Sequence, residues 1–174
     1  MTDRPTVDEI QRVLDYDPET GIFRWRRRTD VSAYWNRRFA GQIAGYVDAP
    51  GEYRRIVWKG WRPFPASHLA WVIIYGAWPP EELDHQNLDR DDNRITNLRT
   101  ATRSQNSWNR RAYSNSSSGG IKGVSFNKKA RKWEASIRVF GKPFYLGFFE
   151  NKDEAALAYA EAAKSYHGEF ARVA

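Results

Sequence analysis

The chain has 174 residues, of which 41% are hydrophobic and 15% are aromatic, so it can bury one or two compact cores and is not disordered as a whole. It contains no cysteine, which excludes disulfide frameworks, cysteine-ligated zinc sites and thiol nucleophiles. No apolar run approaches the ~20 residues that cross a bilayer. We therefore expect a cytoplasmic protein with neither a membrane anchor nor a secretion signal.

The positive charge is concentrated in one part of the chain. The formal net charge is +7, from 28 basic and 21 acidic side chains. Residues 1–100 contain 15 side chains of each sign, whereas residues 101–148 contain 10 basic side chains and one acidic side chain. Such a block is typical of a surface that binds a polyanion such as nucleic acid, although a face that only keeps the protein soluble would give the same pattern.

The N-terminal part begins with a predicted short helix and a turn. Thr6 and Glu9 have the spacing of a helix N-cap, and the apolar residues Ile10, Val13 and Leu14 follow at helical spacing. The turn at residues 17–21 is rich in Asp, Pro and Gly. The further predicted elements are strands at Ile22–Trp25 and Tyr53–Trp58, and a buried helix over Ser67–Tyr75 that ends at Gly76.

A run of small polar residues at 113–120 is predicted to be a flexible linker, so we divide the chain into domains 1–112 and 121–174. The second domain contains three strand-like runs, at residues 121–126, 132–140 and 142–149. A helix capped by Asn151 follows them and ends at Gly168. The predicted fold class is α+β, with a C-terminal three-stranded antiparallel sheet packed by one helix and its other face free for a ligand.

Residues 83–109 are rich in Asp and Asn and contain one histidine, His85. Leu83–Gln86 is predicted to be a strand, Leu98–Thr102 a return strand, and Ser104 the cap of a helix that carries Asn106 and Asn109. Any single Asp or Asn here would be interpreted as a turn or cap residue. Their joint order and spacing favour a catalytic ββα unit instead.

This stretch resembles the HNH, or His-Me finger, endonucleases, in the phage and intron-encoded branch whose final histidine is an asparagine. The matching segments are Asp84-His85, Asp92–Leu98 and Thr102–Asn106, with looser similarity at Tyr16–Gly21 and Ser67–Trp71. The resemblance implies that the N-terminal domain contains a ββα-metal finger that hydrolyses phosphodiester bonds.

The resemblance also implies roles for individual residues. His85 would be the general base, and Asn97, in preference to Asn93, would fix the orientation of the loop and of the histidine. Asp84 and Asn106 would each give one oxygen to a single divalent ion, Mg²⁺ or Mn²⁺. The other two histidines, His68 and His167, are expected to be structural, as a helix cap or core residue and as a cation at a helix C-terminus.

Residues 121–171 resemble the DNA-binding domain of plant ethylene-response-factor (apetala-type) proteins. The matching segments include Gly123-Val124, Lys132–Ala135, Tyr145–Phe149 and Glu154–Tyr159. The resemblance implies that the sheet lies in the major groove of double-stranded DNA. Transferred position by position, it gives as DNA contacts Lys128, Lys129, Arg131, Trp133, Arg138 and Tyr145. Alternation along the strand instead points Trp133 toward the helix, which favours Arg138 over Trp133.

Two further basic groups extend the expected DNA surface. Arg110 and Arg111 follow the finger helix and would continue a track for one duplex from the cut site to the sheet. The cluster Arg24–Arg28 with Arg37 and Arg38 would either hold the duplex or protect an edge strand by charge.

Together these features predict a metal-dependent DNA endonuclease targeted by a C-terminal DNA-binding module. Its products would carry 5′-phosphate and 3′-hydroxyl ends. One finger cuts one strand, so a monomer would nick DNA and a homodimer could break both strands. The competing interpretations are a non-enzymatic DNA-binding regulator with a vestigial finger and a nuclease that acts on RNA.

Overall fold

The computed structural model describes residues 4–57, 62–110 and 120–172. The chain divides into two compact units, residues 1–100 and 101–174. This division precedes the predicted linker, of which residues 113–119 lie outside the described part of the chain. No helix in the described residues is long and apolar enough to cross a membrane.

The first unit contains three helices and three small sheets within its described residues. In chain order these are α1 (Val7–Val13), β1 (Leu14–Asp17), β2 (Ile22–Trp25), α2 (Ala33–Phe39), β3 (Tyr46–Val47), β4 (Arg54–Ile56), β5 (Phe64–Pro65), α3 (Ala66–Tyr75), β6 (Glu82–His85) and β7 (Leu98–Ala101), whose last residue lies at the boundary. The strands pair as β1-β2, β3-β4-β5 and β6-β7. A 3-10 turn at Ile95–Asn97 precedes β7.

The helix α1 starts where the sequence predicts and ends one residue earlier. The Thr6 hydroxyl accepts a hydrogen bond from the Glu9 backbone N–H at 3.3 Å, and the Glu9 carboxylate accepts one from the Thr6 backbone N–H at 2.8 Å. Leu14, expected on the helix, instead begins β1 and pairs with Trp25 on β2. The predicted turn at residues 17–21 therefore closes an antiparallel hairpin.

The core of the first unit lies against α3. This helix is buried along much of its length, as predicted, and ends at Gly76 with φ 74°. The helix contributes Leu69, Ala70 and Val72 to this core. The other elements contribute Ile10, Leu14, Phe23 and Ile56. The core thus supports β1, β2 and β4, which approach the loop between β6 and β7.

The second unit contains α4 (Arg103–Asn109), β8 (Val124–Asn127), β9 (Lys132–Val139), β10 (Lys142–Phe149) and α5 (Lys152–His167). The predicted cap of α4 at Ser104 is wrong, because Thr102 caps this helix. The Thr102 hydroxyl accepts from the Gln105 backbone N–H at 3.3 Å, and the Gln105 side-chain oxygen accepts from the Thr102 backbone N–H at 2.8 Å. This reciprocal pair satisfies two N–H groups of the first turn, which Ser104 cannot do from inside the helix.

The C-terminal sheet is antiparallel in the order β10-β9-β8. Side chains from α5 and one face of the sheet form its core: Val124, Ala135, Ile137, Val139, Ala155, Tyr159 and Ala163. Trp133 is half-buried and packs against this core, in agreement with the alternation along the strand. Gly123 is required here, because a Cβ at this position would lie 2.1 Å from the Tyr159 ring.

Candidate active site and nucleic-acid interface

Strand β6 brings two polar side chains into the interior. Asp84 and His85 are each only 4% exposed. Burial of a carboxylate is costly unless an opposite charge and hydrogen bonds compensate it. Arg99 on β7 supplies them, since its Nε and Nη2 atoms lie 3.0 and 2.9 Å from Oδ2 of Asp84.

Arg99 was missed by the sequence analysis, although a signal for it exists. A buried Asp on one strand of a two-stranded sheet needs a cation, and the neighbouring strand is the nearest source. The Arg99 side chain is 14% exposed, so the pair is shielded from water. The short distances and low exposure make this pair a fixed part of the site.

His85 lies within reach of the Asn93 side chain, which acts on its pKa. Its ring also packs against the ring of Tyr53, with centroids 5.6 Å apart. Burial lowers the pKa of His85 below its ordinary value, while the hydrogen bond with Asn93 and the charge on Asp84 act in the opposite direction. The imidazole is therefore neutral at neutral pH and can accept a proton.

Asn93 is 1% exposed and is itself fixed on several sides. Its side-chain N–H donates to the Asp91 backbone carbonyl at 2.9 Å. The backbone carbonyl of Asn93 accepts a hydrogen bond from the Tyr16 hydroxyl at 2.7 Å. Gly21 lies so close that a Cβ there would be 2.6 Å from the Asn93 carbonyl carbon. The β1-β2 hairpin thus fixes the position of Asn93, whose side chain acts on the pKa of His85.

Asn97 holds the two ends of the β6-β7 loop together. Its Oδ1 accepts from the Asn87 backbone N–H at 3.0 Å, and its Nδ2 donates to the Asp92 carbonyl at 2.8 Å. These bonds fit the expected role in fixing the loop. The Asn93 side chain, which the sequence analysis ranked lower for orienting the histidine, acts on the pKa of His85, and the choice between the two asparagines stays a prediction.

Two acidic side chains of the same loop, Asp91 and Asp92, are paired with arginines. Arg54 on β4 makes two hydrogen bonds of 2.8 Å to the two oxygens of Asp91. Hydrogen bonds from Arg94 lower the pKa of Asp92 to about 2. The pair Arg54–Asp91 attaches the loop to β4, and the pair Arg94–Asp92 stiffens the loop itself.

A divalent ion fits the chemistry of the predicted ligands. Within residues 4–57, 62–110 and 120–172, no group of three or more His, Asp or Glu could hold a metal. A site with few protein ligands leaves positions for phosphate oxygens and water, and the oxygens of Asp84 and Asn106 are donors that Mg²⁺ and Mn²⁺ prefer. Asn106 lies on α4 in the second unit, so its sharing of an ion with Asp84 stays a prediction.

His68 lies on α3, and His85 is one of the residues that affect its pKa. Burial lowers the pKa of His68, and the charges of Arg4 and His85 lower it further. Its Nδ1 atom is buried and has no hydrogen-bond partner among the described residues. The cap of α3 is Pro65, so the alternative of His68 as a cap is wrong.

The outer face of the C-terminal sheet and the turn between β8 and β9 carry five of the predicted DNA contacts. Arg138 is exposed on β9, and Tyr145 on β10 is 58% exposed and paired with Ser136 across the strands. Tyr145 also contacts Phe148 edge-on, with ring centroids 5.4 Å apart. Lys128, Lys129 and Arg131 are exposed in the turn between β8 and β9. Phe148 was not predicted as part of this face.

The remaining predicted contacts lie near the end of α4. Arg110 directly follows this helix, whereas Arg111 lies outside the described residues.

The outer face of the sheet also carries an acidic residue. Glu134 lies on β9, and its carboxylate accepts a hydrogen bond from the Asn127 side chain at 3.0 Å. The exposed face therefore combines cations, an aromatic pair and one acidic hydrogen-bond acceptor.

Comparison with known proteins agrees with this site. Residues 64–108, from β5 to α4, match the family model described as HNH endonuclease. The chain is also 28% identical over 110 residues to Protein 3.8 of Escherichia phage T7, an alignment that covers 62% of this chain and 89% of that protein. No solved structure matches the chain. Residues 64–108 are thus similar to HNH endonucleases, and this similarity favours nuclease activity.

Proposed function

We propose that this protein is a metal-dependent DNA endonuclease in which His85 is the general base. The observation that carries the proposal is the buried, neutral His85, which directly follows the ion-paired Asp84 on β6. This arrangement lies within the segment that matches the HNH endonuclease model. It supplies a neutral base in a fixed orientation, which phosphodiester hydrolysis requires.

His85 takes a proton from the attacking water. The oxygen of this water forms a bond to phosphorus, the bond from phosphorus to the 3′ oxygen breaks, and the departing 3′ oxygen takes a proton from solvent. The products carry 5′-phosphate and 3′-hydroxyl ends. Asp84 and Asn93 both favour the protonated imidazole, so the groups that orient His85 also stabilise it after it accepts the proton.

Asp84 and Asn106 would hold one Mg²⁺ or Mn²⁺ ion. When bound, the ion stabilises negative charge on the phosphate and on the departing oxygen. Arg99 contacts Oδ2 of Asp84 and thereby restricts rotation of the carboxylate. Arg99 is thus a positioning residue for the proposed ligand.

The C-terminal unit would bind double-stranded DNA through the exposed face of its sheet. Lys128, Lys129 and Arg131 in the turn would contact phosphates, while Arg138 and Tyr145 would reach base edges. Arg110 and Arg111 would continue the track beside the finger. If about six phosphates are neutralised, the affinity falls with a log-log salt slope of about −5.

Nicking of supercoiled plasmid tests the proposal. Purified protein is incubated with plasmid in Mg²⁺, in Mn²⁺ and in EDTA, and DNA binding is measured in parallel. We expect nicked circles with either metal, none in EDTA, and none from His85→Ala, which should still bind DNA. Binding without nicking in both metals would overturn the enzyme and leave the DNA-binding regulator, and preferential cleavage of RNA would assign a different substrate.

A further inference from the structure

The last turn of α4 is held by a lysine that precedes β8. The Lys122 ammonium donates to the carbonyls of Ser107, Trp108 and Arg110, with distances of 3.3 Å to the first and 3.2 Å to the last. The last carbonyls of a helix have no partner within the helix, and a positive charge is favoured at this end. Lys122 therefore caps α4 from the C-terminal module.

A ring stack makes a second connection. Trp108 of α4 lies parallel to the ring of His167, with centroids 4.2 Å apart and 9° between the planes. His167 is the last residue of α5, is 5% exposed, and has its Nε2 atom 3.0 Å from the Arg138 carbonyl oxygen on β9. The stack thus ties α4 to both α5 and β9.

These contacts matter because α4 has only seven residues. Isolated helices of this length are not stable in water, so tertiary contacts must fix the position of α4. Lys122 is partly buried, and burial together with Arg172 and Arg110 lowers its pKa to about 8. The carbonyls that surround its ammonium offset the cost of removing it from water.

We propose that the C-terminal module positions Asn106 for catalysis, through Lys122 and the Trp108–His167 stack, in addition to binding DNA. The inference rests on the proposed function, in which Asn106 is a metal ligand. Asn106 immediately precedes the turn whose carbonyls Lys122 caps. Lys122 and His167 are therefore positioning residues, and the two predicted domains are not independent in catalysis.

Hydrogen exchange in the full-length protein tests the docking without any need for activity. Lys122→Met removes the cap, Lys122→Arg retains a cation, and Lys164→Met, at an exposed site on α5, removes the same charge elsewhere. We expect amides of residues 103–109 to exchange about tenfold faster in Lys122→Met and at the native rate in Lys164→Met. Unchanged exchange in Lys122→Met would overturn the docking role.

The metal dependence of nicking tests the positioning role. We expect Lys122→Met to need about tenfold more Mg²⁺ for half-maximal nicking. Its affinity for DNA should equal that of Lys164→Met, and Lys122→Arg should restore the native Mg²⁺ requirement. Faster exchange with an unchanged Mg²⁺ requirement would overturn positioning of Asn106. If the native protein does not nick, the proposed function fails and positioning fails with it, whereas the exchange experiment still decides whether α4 is docked.

A second pair of variants applies if Lys122→Met does not fold. His167→Phe keeps a flat ring against Trp108, and His167→Leu removes it. We expect the leucine variant alone to raise the Mg²⁺ requirement and the exchange rate of α4. Equal behaviour of the two variants would remove the stack from the proposal.

Discussion

Two nitrogen atoms of Arg99, Nε and Nη2, lie 3.0 and 2.9 Å from one carboxylate oxygen of Asp84, Oδ2. This shared oxygen makes the arginine a fixed partner of a side chain that is only 4% exposed. One oxygen of this carboxylate is thus tied to Arg99, in the residue that directly precedes His85 on β6. The stability of the fold and the geometry of the site therefore depend on the same pair.

Removing the arginine should destabilise the fold as well as the site. Arg99→Leu leaves the charge of Asp84 without this partner, and breaking a buried pair in this way costs about 3 kcal/mol in the free energy of unfolding. Urea denaturation measures the loss. Asp84→Asn in the Arg99→Leu background should recover part of it, and a double variant that is less stable than Arg99→Leu would contradict the role of the ion pair.

The hydrogen bond between Asn93 and His85 should control the pH dependence of cleavage. This bond raises the pKa of His85 against the lowering caused by burial. In Asn93→Ala the pKa falls further, so the acidic limb of the pH profile of kcat moves to lower pH, while kcat falls about 10- to 100-fold from loss of orientation. Asn97→Ala is the comparison variant, because the hydrogen bonds of Asn97 to Asn87 and Asp92 hold the loop. The acidic limb of its pH profile should stay in place. A limb that does not move in Asn93→Ala would contradict the assignment.

Gly21 offers a test of the contact between the β1-β2 hairpin and the active-site loop. Its φ is +72°, and a Cβ there would lie 2.4 Å from the backbone nitrogen of Arg94. Gly51 has a similar φ of +81° with nothing within 4 Å of an added Cβ, so Gly51→Ala has the backbone strain without the clash. We expect about 1 kcal/mol of destabilisation from Gly51→Ala and clearly more from Gly21→Ala, with reduced nicking only in the latter. Equal effects in thermal melts and nicking assays would show that the close approach is unimportant.

Acid should destabilise the protein through its histidines. Burial lowers the pKa of His68, His85 and His167 in the folded state. The unfolded chain therefore binds more protons as the pH falls below about 6.5, so the free energy of unfolding falls between pH 7 and 5. Urea denaturation at a series of pH values measures the slope. His68→Phe should reduce it, and an unchanged slope in this variant would contradict a neutral buried His68.

Local sequence patterns predicted the elements whose signals lie within a few residues. Asn151 caps α5, with its side-chain oxygen 2.9 Å from the Glu154 backbone N–H, and Gly76 ends α3, both as expected. Helix α2 was missed because none of its residues is buried, so it carries no apolar stripe. A helix cap depends on residues that are close in sequence and is therefore predictable, whereas a helix without buried residues is not.

The site was predictable in its residue types and less so in its pairings. Asp84 and His85 follow from order and spacing, but Asn93 and Asn97 stand in the same motif and only the folded loop decides which of them faces the histidine. Arg99 depends on the pairing of two strands. The placement of α4 in the second unit depends on contacts with Lys122, across residues that resemble a linker.

The DNA-binding face can be divided experimentally into residues that contact phosphates and residues that read bases. Lys129 is exposed in the turn between β8 and β9, where a long cation suits a phosphate contact, so Lys129→Ala should weaken binding equally for all sequences and reduce the magnitude of the salt slope by about 1. Arg138→Ala, on the outer face of β9, should instead reduce discrimination between sequences. Fluorescence anisotropy with two duplexes across a salt series measures both effects. Lys164→Ala on α5 removes one charge away from this face, and a salt slope that changes as much as in Lys129→Ala would show that total charge, rather than this face, determines binding.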